Sequence, residues 1–264
     1  MDYSKLSIVR PPEIDSTWSP EDRLGALRVR LSIGRNRYRV NPGLYRLGSP
    51  GSDSEVFVTA NYKLSFDMLR KNLSGLSAWI LVLETYGINV WCAAGKGTFG
   101  SDELIRQLNN SRLSLYVSHR RLILPQLGAP GVSAQKVKEA TGYLVKFGPV
   151  RAEDIKAYIS AGYRKDELSR TVQFKIKDRL ILTGVEVANS FWYLIIAIIL
   201  FALLSGIHSE GYSLALIWKE GLRAGLYLLA AYLSGAFLAP LLLPFLPFRH
   251  FGGKGMVSGL LVFA

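Results

Sequence analysis

Cysteine occurs once in this 264-residue chain, at Cys92, within the segment 87–100, GINVWCAAGKGTFG. A thiolate can serve as a nucleophile or as a soft metal ligand, so group-transfer or metal chemistry would centre there. As a nucleophile it would want a histidine base. His208 and His250 fall in the apolar C-terminal part, and His119 lies on a stretch between strands with no clear approach to Cys92. One cysteine closes no disulfide within the chain and by itself builds no cysteine-ligated zinc or iron–sulfur site. A phosphate loop is excluded too, because Gly97 follows Gly95-Lys96 and Val90 stands where that motif needs its first glycine. Two readings of Cys92 remain. It is a small buried hydrophobe, or it ends a strand as a ligand, with Ala93, Ala94, Gly95 and Gly97 leaving room for a large flat group to approach the backbone.

The elements that must position Cys92 alternate along the chain. Residues 56–59, 78–83, 113–117, 122–124 and 144–147 are short apolar runs that predict buried strands. A helix is predicted over 64–73, where Leu64, Met68, Leu69 and Leu73 recur at helical spacing. Others are predicted over 99–108, with acids in the first turn, over 133–141, with Ser133 as cap, and over 152–161. This alternation implies an α/β fold with a mainly parallel sheet, in which ligands bind in loops at the strands' carboxyl ends. Those loops are 59–63, 84–98 and 125–132. Upstream, Leu27, Val29, Leu31 and Ile33 alternate with polar residues, which predicts a strand turned by 34–36 into a second one at 37–40. The expected organisation is an N-terminal extension over 1–50 with this hairpin, an α/β domain over 51–162, a linker over 163–188 and an apolar domain over 189–264. The linker carries a candidate β-pair, 172–176 with 180–187.

Residues 191–207 hold no charge over 17 residues, near the lower limit for a membrane-spanning helix, and Trp192 and Tyr193 stand at their start as interfacial anchors do. Residues 222–248 form a second apolar run, broken toward its end by Pro240, Pro244 and Pro247. A third run starts at 255 and stops at 264, which leads us to expect a C-terminal truncation. Of 32 Lys and Arg, 28 precede residue 190, with 18 of the 20 acids, so the first part carries a net +10. With Arg249, His250 and Lys254 in the second loop, that asymmetry places the α/β domain in the cytoplasm of a multi-pass inner-membrane protein. A basic domain beside such a tail suits anionic membrane lipid. No nucleic-acid motif occurs among the scattered basic residues, so no nucleic-acid partner is expected.

The run Asn89-Val90-Trp91-Cys92-Ala93-Ala94-Gly95-Lys96 resembles the signature of the mercury-methylating corrinoid proteins. The resemblance extends to residues 58–67 (VTANYKLSFD), 119–132 (HRRLILPQLGAPGV) and 147–151 (FGPVR), stretches also similar to the corrinoid domain of the acetyl-CoA-pathway corrinoid iron–sulfur protein. It implies a Rossmann-like domain holding a cobalamin-type corrinoid base-off, with the Cys92 thiolate as the lower cobalt ligand. It implies a methyl group passed from cobalt to Hg(II) to give methylmercury. It also implies a reducing ferredoxin with two 4Fe–4S clusters and a methyltetrahydrofolate-linked methyl donor. The Asp-x-His-x-x-Gly spacing of His-ligated corrinoid domains occurs nowhere here.

Around Cys92 the resemblance and the loop positions suggest further cofactor contacts. Asn89 would hold the loop, Val90, Ala93, Ala94 and Gly95 would line the site, Trp91 would pack on the corrin edge, and Lys96 would meet a corrin amide or the ferredoxin. Thr59 and Asn61 would bond corrin amides, and Gly128, Ala129 and Gly131 would wrap the cofactor tail. The alternative functions are a methyl-corrinoid carrier in one-carbon metabolism and a cofactor-free membrane scaffold.

Overall fold

Strands buried on both faces need neighbours above, below and on each side, and the chain supplies them around one six-stranded sheet. The computed structural model describes residues 10–263. The sheet consists of β1 (Glu13–Ile14), β2 (Gly43–Leu47), β3 (Val56–Ala60), β4 (Ala78–Leu83), β5 (Arg121–Leu124) and β6 (Leu144–Phe147). Their lateral order is β1-β2-β4-β3-β5-β6. β3 to β6 run parallel, and only β2 pairs antiparallel, with β4. The fold is thus mixed α/β with a mostly parallel, Rossmann-like sheet, and β4-β3-β5-β6 follows the flavodoxin-type order 2-1-3-4. The first nine residues of the expected N-terminal extension lie outside the described residues.

The helices of this unit are α1 (Pro20–Arg30), α2 (Lys63–Asn72), α3 (Val90–Gly95), α4 (Ser101–Ser111), α5 (Ala134–Thr141), α6 (Ile155–Ser160) and α7 (Glu167–Arg170). Side chains alternate across β3 and β4. Val56, Val58, Ala60, Leu81 and Leu83 join Val90, Ala93, Leu104, Leu108 and Val137 in one core. Phe57, Ile80 and Val82 join Phe66, Leu69, Leu73, Ile155 and Tyr158 in the other. Helices therefore cover both faces, which is why these strands read as continuous apolar runs. Ser133 caps α5 as expected, its Oγ accepting from Lys136 N at 3.3 Å.

Three expected strand features are corrected. The hairpin over 27–40 does not form: residues 20–30 are α1, and 35–37 make a short 3-10 turn. The signal for a helix was present in Ser19-Pro20-Glu21-Asp22. Ser19 Oγ accepts from Asp22 N at 3.1 Å, and Ser19 N donates back to Asp22 Oδ2 at 3.0 Å. What remains of the second strand is an isolated bridge between Arg39 and Tyr62. Residues 113–117 are not a strand either, because Arg112 takes a left-handed φ of 48° at the end of α4 and the next turn is 3-10. The β-pair expected within 172–187 is replaced by the start of a long helix at Ile176.

A buried charge network fastens α1 to α2. Asp67, with no exposed surface, accepts from Arg70 Nε at 2.8 Å and from Lys63 Nζ at 2.7 Å. Asp22 accepts from the same Lys63 and from Arg70 Nη2, the latter at 2.6 Å. Arg70 Nη1 also donates to the carbonyls of Asp15 and Thr17, at 2.6 and 2.7 Å. Burial alone would raise the Asp22 pKa, but hydrogen bonds from Lys63, the Ser19 N–H and Arg70 outweigh it and hold the carboxyl well below the usual range.

Residues from Phe174 onward, with Arg30–Ile33, form a second unit. It contains α8 (Ile176–Leu204) and α9 (Leu214–Leu242), both long and apolar enough to cross a membrane, and the shorter α10 (Phe251–Phe263). α8 and α9 meet through small residues: a Cβ on Gly221 would lie 2.9 Å from Ala202 Cα. Tyr232 Oη donates to Val187 O at 3.2 Å and lies 2.9 Å from Ser190 Oγ. α9 is interrupted by a π-turn at Ser234–Leu238, just before Pro240, whose missing N–H cannot continue the regular ladder.

Replacing Asp67 by Ala leaves two cations without their buried partner. The expected loss is about 3–5 kcal/mol of stability for the α/β unit, measured by denaturant unfolding. A lowered carboxyl pKa stabilises the fold above the unfolded value, near pH ~4, and that contribution fades as pH falls below it. Asp22→Asn should therefore be less stable than wild type at pH 7, with the difference shrinking below pH ~4.

Candidate functional site

The carboxyl ends of β3, β4 and β5 open at one edge of the sheet. Connections leave β3 toward β4 and β5 toward β6, so the chain's direction switches between β3 and β5, where doubly wound sheets hold ligands. α3 stands at this edge. Its inner face buries Val90, Ala93 and Ala94 in the core. Its outer face carries Trp91, Cys92, Gly95 and Lys96, all exposed. Cys92 is a free, exposed cysteine, which removes the reading of it as a buried hydrophobe.

The Asn89 side chain caps α3 by accepting from Cys92 N at 2.9 Å, so it holds the cysteine's own backbone. Nothing lies within 4 Å of a Cβ built on Gly95 or Gly97, so the backbone beside Cys92 is open. The glycines on the other side of α3 have a different task. A Cβ on Gly131 would lie 2.1 Å from Phe99 O and 3.1 Å from Ala94 Cα. One on Gly128 would lie 2.5 Å from the Phe99 ring. These two positions let the loop after β5 close against α3, and Ala129 beside them is half-buried. The space of their missing Cβ atoms is thus filled by protein.

Thr59 lies buried within β3, and Asn61 is buried just beyond it. The Asn61 carboxamide is committed to the fold. Its Oδ1 accepts from Thr85 N at 3.2 Å and Gly87 N at 3.0 Å, and its Nδ2 donates to Glu84 Oε1 at 2.6 Å. These bonds engage its oxygen and one N–H with the loop after β4. Glu84, Thr85, Phe99 and Glu103 were not singled out by sequence reasoning. The available signal was the polar pair Glu84-Thr85 set directly after a fully apolar strand. His119 belongs to the opposite edge, before β5. There it accepts from Arg121 N through Nδ1 at 3.2 Å, so Nε2 donates to Ser54 O at 2.9 Å, and neither nitrogen serves Cys92.

A cation–π and hydrogen-bond cluster occupies that same opposite edge. Glu55 takes a bidentate pair from Arg121 at 2.8 and 3.1 Å and a hydrogen bond from Tyr163. Burial, with the Glu55 carboxylate next in weight, pushes the Tyr163 hydroxyl up to about 12. This cluster ties the segment after α6 to the sheet.

Gly131→Ala should force Phe99 or the loop after β5 to move. We expect a loss of at least about 2 kcal/mol in denaturant unfolding, whereas Gly95→Ala, facing open space, should cost under about 1 kcal/mol.

Residues 26–159 match the family described as CO dehydrogenase/acetyl-CoA synthase delta subunit. The acetyl-CoA decarbonylase/synthase complex subunit gamma of Archaeoglobus fulgidus is 30% identical over 135 residues, covering 50% of this chain and 28% of that protein. The corresponding subunit of Methanopyrus kandleri is 28% identical over 127 residues, covering 47% of this chain and 27% of that protein. The corrinoid/iron-sulfur protein large subunit of Moorella thermoacetica is 28% identical over 125 residues, covering 47% and 28%. The chain thus spans little more than a quarter of the length of these relatives, through its α/β unit. The matched stretch runs from within α1 to α6 and takes in the whole Cys92 edge, and on that match the chain belongs to the CO dehydrogenase/acetyl-CoA synthase delta subunit family.

Proposed function

We propose that this chain is a corrinoid-dependent methyltransferase that passes a methyl group from cobalt to Hg(II), with the Cys92 thiolate as the lower cobalt ligand. One observation carries the reading. Cys92 is exposed on the outer face of α3, at the carboxyl edge of β3 and β4, inside the octapeptide Asn89–Lys96 that resembles the mercury-methylating signature. The residues fit a corrinoid. Among the described residues no group of three or more His, Cys, Asp and Glu could hold a metal. A corrinoid brings its own nitrogen ligands for cobalt, so a single exposed thiolate, that of Cys92, would suffice to hold the metal from the protein.

When bound, the corrinoid supplies the methyl-bearing cobalt. The chain does the rest by position. α3 is packed on one face and open on the other, so Sγ of Cys92 is presented from a rigid element. Asn89 keeps the Cys92 backbone in place at 2.9 Å. Exposed Trp91 offers an apolar shelf beside the thiol, and Gly95 and Gly97 leave the backbone approachable. A thiolate donates more electron density than imidazole or water, so Cys92 would favour the transfer of the methyl group to a soft acceptor such as Hg(II).

The reading places α8 and α9 as spans of the inner membrane, in contact with membrane lipid, with the α/β unit on the cytoplasmic side. A two-cluster 4Fe–4S ferredoxin as reductant and a methyltetrahydrofolate-linked donor complete the cycle. A second reading, a methyl-corrinoid carrier of the acetyl-CoA pathway, is favoured by the names of the curated relatives. The two differ in the acceptor.

The test uses the full chain reconstituted with cobalamin, wild type beside Cys92→Ala. We expect a thiolate-shifted base-off spectrum and methylmercury formed from Hg(II), both lost in the variant. Equal methylmercury from the two proteins would sink the mechanism. A Cys92-dependent spectrum without methylmercury would favour the carrier.

A further inference from the structure

We infer that Asn61 is a positioning residue for Cys92: its carboxamide sets the course of the 84–89 loop, and hence the place from which the thiol is presented. The inference rests on the reading of Cys92 as cobalt ligand and deepens it. Asn61 follows β3 directly, on the strand next to the one that leads to Cys92, and has no exposed surface. Its backbone is fixed as well, N–H to Leu83 O at 3.0 Å and O from Val40 N at 2.9 Å.

The side chain's orientation follows from chemistry alone. Backbone N–H groups only donate, so the oxygen must face Thr85 N and Gly87 N, and the NH2 must face the Glu84 carboxylate. One buried amide therefore ties residues 84, 85 and 87. The loop needs such a tie, since Tyr86 and Gly87 both take left-handed backbone, with φ of 57° and 73°. Glu84 holds the first of them by accepting from Tyr86 N at 2.7 Å, and its own N–H donates to Glu103 Oε1 at 2.7 Å.

From there the connection to the cysteine is continuous. Thr85 Oγ1 lies 2.9 Å from Asn61 Oδ1 and 2.7 Å from Ile88 O, and Ile88 N donates to Thr85 O at 3.0 Å. The next residue, Asn89, caps α3 at Cys92 N. Asn61→Asp would keep the acceptor but set a second carboxylate against Glu84. Like charges at that range repel, and the loop would have to part. Adding Glu84→Gln would remove the second charge while leaving an amide oxygen to accept from Tyr86 N, as Glu84 Oε1 does.

The experiment compares visible spectra of the full chain reconstituted with cobalamin, as wild type, Cys92→Ala, Asn61→Asp and the double variant Asn61→Asp with Glu84→Gln. The expected result is that Asn61→Asp lowers the Cys92-dependent band about tenfold and the double variant recovers it to within about threefold. Denaturant unfolding of each variant separates the two roles: a band lost in a variant as stable as wild type is a positioning effect, whereas a loss that only tracks stability is a fold-only role and overturns the inference. If wild type and Cys92→Ala give the same spectrum, the ligand reading falls and takes this inference with it. If the band depends on Cys92 but survives intact in Asn61→Asp, or does not return in the double variant, the ligand reading stands and the positioning role is overturned. Should Asn61→Asp not fold, the double variant alone decides.

Discussion

Burial of β3 and β4 on both faces is the constraint from which the rest of the α/β unit follows. Val56, Val58 and Ala60 point into one helical layer and Phe57 into the other, and β4 alternates in the same way. With both faces covered, a strand can carry neither an exposed thiol nor a free amide along its length. Reactive groups are pushed past Ala60, Leu83 and Leu124, to the edge where the loops begin. Backbone groups leaving the sheet there still need partners. Asn61, Glu84 and Thr85 supply them from side chains, and so the polar wiring and the exposed cysteine occupy the same edge.

That wiring explains why small residues crowd around α3 on one side and remain free on the other. Phe99 folds back under the helix, its N–H bonded to Ala93 O at 3.1 Å, and fills the space that the missing side chains of Gly128 and Gly131 leave. Ala93 and Ala94 are small for the same packing reason. Only Gly95 and Gly97 face outward, next to Cys92. The octapeptide is therefore two-sided: half of it secures the helix to the sheet, and half presents a thiol, an indole and a lysine.

The basic composition divides in a comparable way. Arg70, Lys63 and Arg121 are consumed by Asp67, Asp22 and Glu55 inside the unit, where they hold the N-terminal segment and the segment after α6 to the sheet. Each of these cations is matched by an acid, so the pairs leave the net charge of the first part unchanged, and that charge is carried by other residues.

The residues of the central strands, of α2, α4 and α5, and of the apolar C-terminal helices were legible in sequence because each depends on a local period, a cap or a sustained apolar run. The corrections fall where tertiary partners override such patterns. Leu27, Leu31 and Ile33 alternate like a strand, yet Ser19-Pro20 and Asp22 start a helix, and a network with Asp67 and Arg70 on α2 holds it. Residues 113–117 are apolar enough for a strand, but α4 ends at a left-handed Arg112 that leaves no straight path for one. By itself the sequence determined the α/β class, the position of Cys92 after a buried strand, and the motif around it. Only the tertiary structure decided that Cys92 faces outward, that Gly128 and Gly131 permit close packing on Phe99, and that Asn61 ties down the loop after β4. Each of those depends on which residues distant in sequence meet at one edge of the sheet, and no local period encodes that.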